Sequence, residues 1–66
     1  MALVQRTYLG ELHGHEVMVT LYEDGERVHQ WEFEVDGVAE TYQSLAERFG
    51  SRIIRSFVRE AGLHAR

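Results

Sequence analysis

"EVMVTLYEDGERVHQWEFEV", residues 16–35, decides the fold. Its first part alternates Val17, Val19 and Leu21 with Glu16, Met18 and Thr20. Its last part alternates Trp31, Phe33 and Val35 with Gln30, Glu32 and Glu34. Period-two alternation marks strands with one buried face, here over 16–22 and 28–35, and the acidic, glycine-containing stretch between them marks a hairpin. A two-residue Asp24-Gly25 turn would pair Val17 with Glu32 and mix the faces. A three-residue Glu23-Asp24-Gly25 loop, with Gly25 left-handed, pairs Val17 with Trp31 and Glu16 with Glu32. It keeps one face apolar and is the predicted register, with His29 facing Val19.

Upstream, "VQRTYLGEL" (4–12) reads as a further strand turning at His13-Gly14. Its inward set is either Leu3, Thr7 and Leu9 or Val4, Tyr8 and Leu12. Downstream, Asp36-Gly37 signals a second hairpin, and "VAETY" (38–42) suits a short fourth strand. "SLAE" (44–47) has the form of a capping box, with Ser44 as N-cap and Glu47 reaching back. Leu45, Phe49, Ile53 and Phe57 then recur every four residues, and Gly62 suits a left-handed C-terminal cap with Leu63 folding back on Val58. Gly50 is a poor helix former, yet the apolar spacing passes through it without a change of phase. The spacing therefore predicts one helix over 44–61. The expected fold is α+β: a three- to four-stranded antiparallel meander packed on one face by a single C-terminal helix, one small domain over 1–66. Trp31 is expected as the core anchor beneath that helix.

A chain of 66 residues buries only about 60% of its unfolded surface, so the core is thin and self-association, as a homodimer, is a natural expectation. There is no cysteine, hence no disulfide and no thiolate metal site. No apolar run approaches the roughly 20 residues of a membrane span and no signal-peptide pattern opens the chain. The expectation is a cytoplasmic protein that does not engage a membrane.

Charge is distributed unevenly. Residues 1–40 hold nine acids against Arg6 and Arg27, a net −7, whereas residues 41–66 hold five arginines against Glu47 and Glu60, a net +3. All the positive charge is arginine. Arg48, Arg52, Arg55 and Arg59 follow steps of four, three and four, which gathers them within about 60° on a continuous helix. No acid lies three or four positions from any of them. A solvated face in a lysine-free chain would account for such a row. Arginine's planar fork, however, fits carboxylates and phosphates alike, so the row also suits a partner of opposite charge.

Other clusters offer less chemistry. "ELHGHE" (11–16) makes His13 and His15 the only metal candidates, with Glu11 or Glu16 as a further ligand. Two histidines around a turn glycine lack a third defined ligand, so no metal and no cofactor are expected. Glu16, Glu32 and Glu34 share the outer sheet face, where no pocket would separate their acidities for acid–base work. A phosphate-cradling GxxxxGK[ST] loop needs a lysine, and the chain has none.

"FEVDG" (33–37) followed by "TYQSLAERFG" (41–50) resembles the strand–turn–strand–helix ends of small phage and restriction-associated domains. The resemblance implies an outline and carries no functional residue with it. The expected function is that of a non-enzymatic module binding another protein, a regulator or inhibitor of the kind phages and plasmids encode. Arg48, Arg52, Arg55 and Arg59 would meet acidic groups, Ile54 and Val58 would serve as apolar anchors, and Glu16, Glu32 and Glu34 would meet basic groups. The alternative is an accessory protein that binds nucleic acid through the same arginines.

Overall fold

A computed structural model describes residues 2–65. Four strands, β1 (Val4–Leu12), β2 (His15–Glu23), β3 (Val28–Val35) and β4 (Val38–Glu40), form an antiparallel sheet in chain order. Two helices follow, α1 (Tyr42–Phe49) and α2 (Ser51–His64), and pack on one face. The fold is α+β, a four-stranded meander covered on one side by a C-terminal helical layer.

Both tight hairpins close on dipeptides with positive φ at each residue, 51° and 82° at His13-Gly14 and 50° and 84° at Asp36-Gly37. That backbone twist matches the twist of the flanking strands. The middle hairpin departs from the predicted register by four residues. Val17 faces Val35, Val19 faces Phe33 and Leu21 faces Trp31. The turn is wider than three residues because Asp24 builds it: Oδ1 accepts from the Glu26 and Arg27 amides at 2.9 and 3.1 Å, and Oδ2 meets His29 Nε2 at 2.6 Å. The ladder slips beside Tyr22 and Glu23, leaving His29 as the extra residue. A shift of four preserves parity, so the inward set survives. Glu16, however, faces Glu11 on β1 and no longer Glu32, and His29 lies far from Val19.

On β1 the inward set is Tyr8, Gly10 and Leu12, opposite Val19, Val17 and His15, while Leu9 is exposed. The buried centre is Val17, Val19, Phe33, Val35, Leu45, Phe49, Ile54, Phe57 and Ala61. β4 ends at Glu40, shorter than the expected 38–42.

The single helix is not what forms. Gly50 takes φ 99° and ψ 136°, a backbone state open to glycine and outside the helical region, and α1 ends there. Its N–H still donates to Ala46 O and its C=O accepts from Ile54 N, so the break leaves neither group of Gly50 unpaired. The consequence is a step in helical phase. α2 buries Ile54, Phe57 and Ala61, whereas Ile53, expected in the core, is 37% exposed. Both predicted caps also move. Thr41 is the N-cap, its side chain accepting from Ser44 N at 3.0 Å, and Ser44 lies inside α1 with its hydroxyl on Glu40. α2 runs through Gly62 to His64, and Leu63 is exposed and does not fold back on Val58.

Candidate functional site: the outer face of α2 and its groove

α2 presents Arg52, Arg55 and Arg59 at i, i+3 and i+7, all exposed, on the side away from Ile54, Phe57 and Ala61. The one acid of α2, Glu60, pairs with His64 at 3.3 Å. Among the described residues the arginine that meets a carboxylate is Arg6, whose Nε lies 3.1 Å from Glu23 Oε1, close enough for an ion pair but not aligned for a hydrogen bond. The row on α2 thus has no ion-pair partner among the described carboxylates. The helix dipole adds to it, since the first turn of α2 holds no acid and no side-chain cap, and Arg52 stands at that positive end.

Arg48 is separated from this row by the break at Gly50. It lies on α1, its guanidinium carbon 5.3 Å from the centre of the Phe49 ring, near the hairpin tips. The rings of His13 and His15 stand edge-on to the same phenylalanine at 5.6 and 6.0 Å. His15 Nδ1 meets Asp36 Oδ2 at 2.8 Å. Asp36 is held below its ordinary acidity range by His15 first, then by the Glu16 amide, with a share from the Arg48 charge. Both histidines therefore pack on an aromatic, His15 alone pairs with a carboxylate, and among the described residues no three metal-binding side chains come together.

Ile54, expected as an apolar anchor for a partner, is fully buried in the core. The phase step at Gly50 is the reason. Val58 keeps a half-exposed position between the buried face and the arginine row. It forms one wall of an open groove of about 510 Å³ whose other walls are Trp31, Phe33, Thr41 and Tyr42. Trp31 and Phe33 stack nearly parallel, 6.4 Å apart at 7°, and Tyr42 meets Phe33 edge-on at 6.0 Å. Trp31 is therefore a half-buried groove wall more than a buried anchor. Sequence reasoning missed Tyr42 and Thr41 as site residues, because the groove is assembled from a strand, a helix start and a second helix.

Glu16, Glu32 and Glu34 lie on the sheet face turned from the helices, with Glu11. They do not converge. Glu32 faces Thr20 and accepts from Tyr22 Oη at 2.8 Å and Gln30 Nε2 at 3.2 Å, which raises the Tyr22 phenol above its ordinary 10.0. Glu34 faces Met18. These four glutamates and the arginine row of α2 thus face opposite sides of the molecule. No helix among the described residues is long and apolar enough to cross a membrane. Comparison with known proteins gives no family model, no curated protein and no solved structure that matches the chain.

Proposed function

We propose that this chain is a non-enzymatic protein-binding module, a regulator or inhibitor that holds an acidic segment of another protein on the outer face of α2. The observation that carries this is the row Arg52, Arg55 and Arg59, exposed and unmatched by any described carboxylate, beside the apolar wall of Val58. Charge next to a dry apolar surface is the usual make-up of a small protein interface. Arg48 takes no part in the row.

A second reading is favoured by one observation. Glu11, Glu16, Glu32 and Glu34 face away from α2, so they oppose an approaching phosphate chain less than the overall charge of −4 suggests. Three phosphate contacts would give a salt slope of about −2.7 on duplex DNA. Titrating wild type and an Arg52→Glu, Arg55→Glu, Arg59→Glu variant with polyglutamate, a duplex and a single strand at several salt concentrations separates the readings. Polyglutamate binding lost in the variant supports the protein reading. Duplex binding of that slope, or single-strand binding with a slope of about −2.1, lost in the variant and stronger than polyglutamate binding, overturns it in favour of nucleic acid.

A further inference from the structure

The groove borders a strand edge that the fold leaves open. β4 pairs with β3 only at Phe33, Glu34 and Val35, so among the described residues no strand pairs with 28–32 on that side. The direction of their backbone groups follows from the hairpin. Asp36 N donates across to Glu16 O, which turns the even-numbered groups of this stretch toward β2. The odd-numbered ones, Val35, Phe33 and Trp31, face the β4 side. For Val35 and Phe33 β4 is there. For Trp31 it has ended, so its amide and carbonyl stand at a free edge while its indole lines the groove.

We propose that an extended segment of a partner protein adds to β3 beside Trp31, continuing the line of β4, and seats one large apolar side chain in the groove. This rests on the acid-binding reading above and specifies it. Strand addition supplies main-chain hydrogen bonds, and alternate side chains supply selectivity. The side facing the helices takes the apolar anchor among Trp31, Tyr42 and Val58. Arg55 and Arg59 flank Val58 in the exposed row of α2, and a carboxylate two positions along on the same side of the segment would meet that row. The opposite side of the segment lies beside Glu32 and must be neutral or basic, since a carboxylate there would face a like charge. The partner pattern is therefore an apolar residue and an acid at alternate positions, with uncharged residues between them.

Trp31 is the only tryptophan, so its emission reports the groove directly. The probe is a short synthetic peptide with phenylalanine and glutamate at alternate positions and threonine between. Two controls replace phenylalanine with alanine, or N-methylate the backbone at alternate amides so that strand pairing is blocked. The proposal expects the first peptide to shift Trp31 emission and to bind about tenfold or more tighter than either control. Tyr42→Ala, at an exposed position, should cut the preference for phenylalanine with an unchanged circular dichroism spectrum, and Arg55→Glu should weaken the glutamate peptides alike. Equal binding of all three peptides with no change in emission, still abolished by Arg55→Glu, overturns strand addition and leaves the acid-binding reading standing. A phenylalanine preference untouched by Arg55→Glu supports the groove and removes the acid-binding reading. No binding of any peptide overturns both.

Discussion

The ring of Phe57 lies directly over Gly10: a Cβ at position 10 would come within 2.7 Å of Phe57 Cε2 and 3.0 Å of Cζ. The same ring meets Tyr8 edge-on at 5.5 Å, so α2 is seated on β1 through an aromatic resting where a side chain is missing. Gly10→Ala should therefore destabilise the fold by about 1–3 kcal/mol through crowding of a well-packed site. Combining it with Phe57→Leu should return part of that loss, as urea melts of the two single variants and the double variant would show. A Gly10→Ala protein as stable as wild type would mean that Phe57 is not seated there.

The phase of α2 gives a second prediction. Ile54 is fully buried and Ile53 is 37% exposed. Truncating Ile54 to alanine should cost about 2–5 kcal/mol, and truncating Ile53 less than about 1 kcal/mol. The order would reverse for a helix running unbroken through Gly50. Denaturant midpoints of the two variants decide it.

These contrasts mark where the sequence was readable and where it was not. Alternation in β2 and β3 places Val17, Val19, Leu21, Phe33 and Val35 inward, because the side-chain period of a strand is two and any even shift preserves it. The same parity is why alternation could not distinguish Trp31 opposite Val17 from Trp31 opposite Leu21. That choice lies in the loop, where Asp24 and His29 spend their side chains on a wider turn. In the helical layer, Leu45, Phe49, Ile53 and Phe57 fit one helix as well as two, since spacing does not report the φ of Gly50. The arginine row was legible because Arg52, Arg55 and Arg59 sit within one element. The groove was not, because Trp31, Tyr42 and Val58 come from three.

Capping supplies a third prediction. Thr41 accepts from the Ser44 amide, so Thr41→Ala should cost about 1 kcal/mol. Ser44→Ala removes no cap and only the hydroxyl contact with Glu40, so its loss should be the smaller. Thermal melts of the two variants test this, and an equal or larger loss at Ser44 would return the cap to the position that the SLAE pattern suggested.

Acid unfolding supplies the fourth. Asp24 is lowered from 3.8 to about 2, first by its hydrogen bond with His29 and then by the Glu26 and Arg27 amides. Because the folded state favours the deprotonated form, this contribution is fully present above pH 3.8 and is lost as the pH falls through about 2. Asp36, lowered by His15 and the Glu16 amide, adds in the same sense. Asp24→Asn should flatten the fall in urea midpoint across that acid window. A variant whose midpoint falls as steeply as that of wild type would show that the Asp24 turn does not set the acid response.

The joint at Gly50 also constrains how the chain reaches its native state. It divides the C-terminal third into helices of 8 and 14 residues, and isolated segments shorter than about 12–15 residues hardly nucleate in water. Each piece therefore draws most of its helical stability from packing its apolar face on the strands. A peptide spanning 41–65 alone should accordingly show little helix by circular dichroism, and the same residues should be helical only where the sheet is present to cover them.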